Sequence, residues 1–163
     1  MAVTSAFLKG NKMKFVIAFI LTLLSTHAHA DIIIGFKGKY GQFDHKAFNE
    51  FAAKRNLKPI VAHNDSRLFL INLIQNNPNY ELYGYSRGAA IAAYVVRMAY
   101  DNKMPMPKAI TTVGAYKSTD VDFTKYGIKF NNYFDDSGRG QKSPGIFIKV
   151  PHNQIMRYVT DNF

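Results

Sequence analysis

The sequence contains no cysteine, and this absence excludes several classes of site. Without thiols the chain has no disulfides, no thiolate nucleophile and no zinc site with cysteine ligands. A lipid-anchored cysteine after an export signal is excluded for the same reason. No metal or cofactor is predicted, because no two histidines or carboxylates share ligand spacing near the serine motif described below.

The N-terminal segment lacks an apolar run long enough to cross a membrane. The run 15–24 is about half of the roughly 20 residues that a spanning helix needs. Lysines precede it, and Ala28-His29-Ala30 follows with small residues two apart. This pattern predicts a signal peptide cleaved after Ala30, and hence a secreted or periplasmic protein without a transmembrane span. Translation starts at Met1 or at Met13. A start at Met1 gives the signal an extended basic segment, and a start at Met13 gives a compact signal, residues 13–30.

The mature chain, residues 31–163, is expected to be a single domain with no internal repeat or linker. Removal of Lys9, Lys12 and Lys14 leaves 18 basic and 11 acidic residues, a net charge of +7. Such a charge favours attraction to an anionic envelope surface. Nucleic-acid binding is not expected, because the lysines are scattered and match no recognition motif.

Short apolar runs alternate with segments of helical periodicity along the mature chain. This alternation predicts an α/β fold: a three-layer sandwich whose mostly parallel sheet has about six strands, with helices on both faces. The continuous apolar run 31–36 is typical of a strand buried on both faces. The predicted strands are 31–36, 60–62, 80–83, 109–114, 128–134 and 146–150. The predicted helices are 43–56, a second that begins at Asp65 or Ser66 and stops before Pro78, 87–102, and a short closing one.

A G-x-S-x-G motif lies at the centre of this pattern, with Gly84, Ser86 and Gly88 between a strand-forming run and an alanine-rich helical one. That context is the one in which such a motif forms a nucleophile elbow, a strained turn that lifts a serine hydroxyl above a sheet. Glycines on either side allow close approach of the backbone. The other interpretation is a plain strand-to-helix turn.

A serine nucleophile needs a base and an acid that orients the base. His152 is the histidine that follows Ser86, and it comes directly after the last predicted strand. Among the acids between them, Asp135 follows a strand end and is the favoured candidate, with Asp136 as the alternative. The order serine, aspartate, histidine is that of α/β folds that carry such an elbow. A capping role for His152 and a solvated turn for the aspartates are the competing interpretations.

The same chemistry needs N–H donors for the charge that develops on the attacked carbonyl. The amide of Arg87, directly after the serine, is the first expected donor. The second is expected from the loop after the first strand, either Phe36 or Lys39. The alternative for this loop is an ordinary glycine turn.

The residues 83–89, Tyr-Gly-Tyr-Ser-Arg-Gly-Ala, resemble the elbow of some phospholipase-like members of the α/β-hydrolase superfamily. Gly35-Phe36-Lys37-Gly38 is similar to the F-R-G loop of class 3 lipases, although Lys39 stands where those lipases often have threonine. The resemblance implies a minimal α/β-hydrolase fold without its first two strands. It also matches Asp135 and His152 to the acid and base positions of that superfamily.

The predicted function is therefore an exported serine hydrolase, an esterase or lipase that cleaves a small-molecule or lipid carboxylic ester. Thioesterase and peptidase activities are the less favoured possibilities within this class. The alternative from a different class is a non-catalytic module that binds an envelope or a partner on the same scaffold.

Overall fold

The computed structural model describes residues 31–62, 66–115, 123–136 and 145–163. The predicted signal peptide, the candidate cap Asp65 and most of the loop 138–145 lie outside the described residues. Within them the chain alternates strands and helices as the sequence pattern predicts. The strands are β1 (Ile32–Phe36), β2 (Lys58–Ala62), β3 (Tyr80–Tyr85), β4 (Ala109–Val113), β5 (Lys129–Phe134) and β6 (Ile146–Phe147). The α-helices are α1 (His45–Lys54), α2 (Arg67–Asn76), α3 (Arg87–Asp101) and α4 (Ile155–Asn162).

The described strands form one six-stranded sheet in the order β2-β1-β3-β4-β5-β6. Each neighbouring pair is parallel. Because parallel strands point the same way, their carboxyl ends share one edge, where open α/β sheets assemble ligand sites. The strand β3 lies between β1 and β4, so the residues that directly follow β1 and β4 flank its end from opposite sides.

Both faces of the sheet are buried, as the continuous apolar run of β1 predicts. Ile32, Ile34 and Phe36 of that strand enter the core beneath α2 and α3. Ile33, between them, points into the second core beneath α1 and α4. This alternation follows from the two-residue period of a strand. The predicted three-layer sandwich with helices on both faces is confirmed.

The helix α3 lies close against the sheet because its inward face is thin. Ala89, Ala92 and Ala93 are buried there, whereas Ala90 is exposed. Short side chains let a helix axis approach the strands, which brings the first turn of α3 directly onto the end of β3. The alanine-rich pattern therefore sets where the serine lies.

Three strands differ from the predictions by two or more residues at one end. The strand β2 begins at Lys58 rather than at residue 60, β3 continues to Tyr85 rather than ending at residue 83, and β6 ends at Phe147 rather than at residue 150. After Phe147 the Ile148 amide still donates to the Phe134 carbonyl at 2.8 Å, but the Val150 amide turns back to the Ile148 carbonyl at 3.0 Å. The strand β6 is an edge strand of the sheet, and Pro151 has no backbone N–H to donate to a neighbouring strand. Both features limit the length of β6.

Candidate active site

The turn between β3 and α3 consists of a single residue, Ser86. Its backbone has φ 52° and ψ −116°, a sparsely populated conformation for a residue with a side chain. Such strain costs on the order of 1–3 kcal/mol and persists only where the surroundings impose it. Here the Ser86 amide donates to the Val113 carbonyl at 2.9 Å, and the Ala89 amide donates to the Ser86 carbonyl at 3.1 Å. These bonds hold the residue between two strands and a helix.

The Ser86 hydroxyl does not cap the helix that follows it. The side-chain oxygen of a serine at an N-cap position usually accepts a hydrogen bond from a backbone amide of the first turn. The residue is 8% exposed, so solvent reaches only a small part of it. The hydroxyl is thus held at the start of α3, near the positive end of the helix dipole, without the capping bond.

Both glycines of the motif are required by close backbone contacts. A Cβ on Gly84 would lie 2.5 Å from the Ala89 Cα atom. A Cβ on Gly88 would collide with the Phe36 carbonyl and lie 2.9 Å from the Lys37 oxygen. The second contact joins the first turn of α3 to the loop after β1. The glycine spacing read from the sequence thus has the steric cause that was expected.

His152 and Asp135 form a direct pair, with 2.6 Å between the imidazole Nδ1 and the carboxylate Oδ2. The Asp135 side chain is 1% exposed and that of His152 is 32% exposed. Asp135 follows β5, and His152 begins a short 3-10 helix after β6. Asp136 is exposed instead. Of the two adjacent acids, the structure brings Asp135 to the histidine.

Gly114 brings this pair to the edge on which Ser86 lies. It follows Val113, whose carbonyl accepts the Ser86 amide. A Cβ on Gly114 would lie 2.7 Å from the His152 Cε1 atom and 3.1 Å from the Asp135 Oδ2 atom. Its φ of +56° also favours glycine. The imidazole and carboxylate therefore pack on the residue that follows the hydrogen-bond partner of the serine.

Tyr85, directly before the serine, contacts both the ring and the backbone of His152. Its hydroxyl donates to the His152 carbonyl oxygen at 3.1 Å, and its ring stacks on the imidazole. Burial raises the pKa of Tyr85, and the negative charge of Asp135 raises it further. The phenol therefore stays protonated at neutral pH and remains a donor.

The three residues expected to supply oxyanion donors lie in three different elements. Arg87 is the first residue of α3. Phe36 ends β1, and its carbonyl packs on Gly88. Lys39 begins an exposed 3-10 turn farther along the loop, in which the Gly38 amide donates to the Gln42 carbonyl at 3.0 Å. The packing therefore puts the Phe36 end of the loop, rather than the Lys39 end, against α3.

Two cavities flank the end of β3. One of about 300 Å³ lies on the β1 side, between the loop after that strand and Arg87. The other, of about 310 Å³, lies beside Tyr85 and is bounded by Phe43, Asn153 and Met156. Each is at the small end of the range of about 300–1,000 Å³ that ligand pockets occupy.

In the described ranges, no group of three or more histidine and carboxylate side chains is arranged to hold a metal ion. The helices of these same ranges include none that is long and apolar enough to cross a membrane. Asp120 and Asp122, two further aspartates between Ser86 and His152, lie outside the described residues.

Sequence reasoning missed Gly114 and Tyr85 as parts of the site. Gly114 ends a predicted strand, and a glycine at that point is a signal of a turn or a close contact. Tyr85 occupies the first x position of the G-x-S-x-G motif, where the motif sets no residue type. The sequence around Gly114 and Tyr85 contains no signal that these residues contact His152, which lies far along the chain.

Comparison with solved structures supports the fold. The RedJ thioesterase from the prodiginine biosynthetic pathway of Streptomyces coelicolor aligns with 83% of this chain and 87% of its own, at 9% identity and a TM-score of 0.52. Human thioesterase 2 aligns over 81% and 95% at 13% identity and the same TM-score of 0.52. ESTFA, in an Fe-lacking apo form, aligns over 82% and 75% at 11% identity and a TM-score of 0.52. No protein-family model and no curated protein matches the chain. The chain has the α/β-hydrolase fold, as the motif resemblance predicted.

Proposed function

We propose that the protein is an exported serine hydrolase that cleaves carboxylic esters, with Ser86 as nucleophile, His152 as base and Asp135 as the acid that orients the imidazole. The observation that carries the proposal is the 2.6 Å contact between His152 Nδ1 and Asp135 Oδ2, packed on Gly114 beside the strained Ser86. A carboxylate on Nδ1 leaves Nε2 free to exchange a proton with a serine hydroxyl.

The reaction proceeds through an acyl-enzyme. The Ser86 oxygen attacks the ester carbonyl carbon, and its proton passes to His152 Nε2. The carbonyl oxygen becomes an anion that accepts from the Arg87 amide and an amide of the loop after β1, of Phe36 or Lys39. The bond to the leaving oxygen then breaks, and that oxygen takes the proton from the imidazole. A water molecule repeats the sequence on the acyl-enzyme and releases the acid.

The 4% exposure of Asp135 supports its role. A carboxylate removed from water stabilises a neighbouring imidazolium more strongly than an exposed one does, because the local dielectric is lower. The strain at Ser86 supports the nucleophilic role in the same way, since serine in an ordinary turn needs no positive φ.

The test uses the mature chain, residues 31–163, and two readouts. Wild-type protein should hydrolyse a short-chain 4-nitrophenyl ester and be labelled by a fluorophosphonate, which reacts only with an activated serine. Ser86→Ala should abolish labelling and lower kcat by at least about 10³-fold, with an unchanged circular dichroism spectrum. Ser66→Ala, at the start of α2, is the matched control and should keep both activities.

Thioesters are the second substrate class to assay, because two of the similar structures are thioesterases. The chain has no cysteine, so thiol release can be followed with a disulfide dye without background from the protein. Wild-type protein that is neither labelled nor active on either class would contradict the proposal. It would favour a non-catalytic module, which the net charge of +7 would draw to an anionic envelope surface.

A further inference from the structure

The cavity on the β1 side of Ser86 is lined by apolar and cationic residues. Its volume is about 300 Å³. Phe36, Ala62 and Ile91 are its apolar lining residues, and Lys37 and Arg87 are its charged ones. The described residues that line it include no carboxylate.

The position of this cavity relative to the histidine follows from the strand order. The strand β3, which carries Ser86, lies between β1 and β4. His152 packs on Gly114, directly after β4, whereas the cavity is bounded by Phe36 and Lys37, directly after β1. The cavity and the imidazole therefore lie on opposite sides of the serine.

This arrangement determines which half of an ester enters the cavity, given the proposed function. The leaving oxygen must lie beside the imidazole, because it takes its proton from there. The leaving group consequently occupies the β4 side of Ser86. The acyl group extends the other way, past the loop after β1 and into the cavity.

Within the described part of the chain, neither Lys37 nor Arg87 forms an ion pair; the pairs there involve Arg55, Lys108, His152 and Arg157. No described carboxylate therefore neutralises these two charges. An ammonium and a guanidinium on residues that line one cavity suit a carboxylate or phosphate oxygen, because charge-assisted hydrogen bonds are about twice as strong as neutral ones. The apolar lining residues suit a short methylene chain.

We infer that the preferred substrate is an ester of a short acyl chain that ends in an anionic group, which Lys37 and Arg87 bind. The inference rests on the proposed hydrolase function and adds the substrate class. It assigns the side chain of Arg87 a role separate from the one proposed for its amide, because Arg87 is a lining residue of the cavity.

The experiment compares two esters of the same six-carbon length, 4-nitrophenyl hexanoate and mono(4-nitrophenyl) adipate, which differ by a terminal carboxylate. At low ionic strength, wild-type protein should favour the adipate ester in kcat/KM by about tenfold, mainly through KM. Half-exposed and exposed cations are screened by salt, so the preference should shrink as ionic strength rises above about 0.15 M. Adipate and pentyl phosphate, tested as competitive inhibitors, distinguish a carboxylate from a phosphate terminus.

Lys37→Gln and Arg87→Gln should each lower the adipate-to-hexanoate ratio at least threefold. Lys129→Gln is the control, since that exposed lysine begins β5 at the opposite edge of the sheet. An equal kcat/KM for the two esters, a ratio unchanged in both variants, or inhibition by neither anion would overturn the inference. Fluorophosphonate labelling of Ser86 and hydrolysis of the hexanoate report on the proposed function separately, so the two failures are distinguishable.

Discussion

The ring of Tyr85 is stacked on the imidazole of His152, with ring centroids 5.1 Å apart and an interplanar angle of 23°. The two residues are far apart in the sequence, yet Tyr85 also donates to the His152 carbonyl at 3.1 Å. The Tyr85 side chain thus contacts both the imidazole ring and the backbone carbonyl of His152, and so fixes the orientation of the ring and the position of the backbone. Because Tyr85 precedes Ser86, the serine and the histidine are placed relative to each other through this contact.

Tyr85 should therefore act as a positioning residue. Tyr85→Phe keeps the stacking and loses one hydrogen bond, so we expect a loss of about 1 kcal/mol in stability and a fall of a few-fold in kcat. Tyr85→Leu loses the stacking as well, and kcat should fall further with little change in KM. Steady-state kinetics and urea unfolding check both variants. Tyr158→Phe, an exposed tyrosine on α4, should match wild type; equal kcat in Tyr85→Leu and wild type would contradict the role.

The two adjacent aspartates should differ sharply in their effect on turnover. Asp135→Asn removes the charge beside the His152 Nδ1 atom and favours the wrong tautomer, for which a fall of about 10³–10⁴-fold in kcat is expected. Asp136→Asn changes an exposed side chain and should leave kcat within about twofold of wild type. Ester hydrolysis by the two variants checks this. A larger loss in Asp136→Asn would reassign the acid.

A comparison of Gly114→Ala with Gly127→Ala should distinguish the effect of a methyl group in the site from the effect of backbone strain alone. Gly114 and Gly127 both have positive φ, +56° and +70°, so alanine at either costs roughly 1–2 kcal/mol. The added methyl at Gly114 would also meet His152 and Asp135, whereas nothing lies within 4 Å of it at Gly127. Gly114→Ala should lose at least as much stability as Gly127→Ala, and only Gly114→Ala should lose most of its kcat. Thermal unfolding and ester hydrolysis measure the two effects, and full activity in Gly114→Ala would refute the packing argument.

Two buried tyrosines should respond oppositely to loss of their hydroxyls. The Tyr80 hydroxyl donates to the Pro105 carbonyl at 2.9 Å, so Tyr80→Phe should cost about 1 kcal/mol. The Tyr83 hydroxyl is buried and has no hydrogen-bond partner among the described residues. Tyr83→Phe should accordingly leave stability unchanged or raise it by up to about 1 kcal/mol. Urea unfolding at neutral pH measures both changes.

The same pair predicts how alkaline pH acts on stability. Burial raises the pKa of both phenols above their ordinary value of about 10. Below pH 10 both phenols are neutral in the folded and in the unfolded chain. Above pH 10 the unfolded chain gives up these protons first, so the free energy of unfolding falls as the pH rises. Tyr83→Phe should therefore unfold less readily than wild type above pH 10. An identical alkaline transition in the two proteins would contradict this expectation.

The motif and the fold class could be predicted because their signals are local. Gly84, Ser86 and Gly88 lie within one turn, and the steric reason for their spacing holds wherever a strand meets a helix so abruptly. The parallel sheet followed from apolar runs such as that of β1, which is buried on both faces. Strand ends were predicted to within a few residues, and β6 was predicted too long because edge pairing has no local signature.

The sequence by itself determined the elbow, the alternation of strands and helices, and the candidate order of serine, aspartate and histidine. The tertiary structure alone decided that Asp135 rather than Asp136 reaches His152, and that Gly114 and Tyr85 hold the imidazole. It also decided that the Phe36 end of the β1 loop packs on Gly88. These contacts join segments far apart in the chain, and they depend on strand order, register and the direction of each turn. Local periodicity carries none of that information, because the same apolar pattern is compatible with several sheet orders.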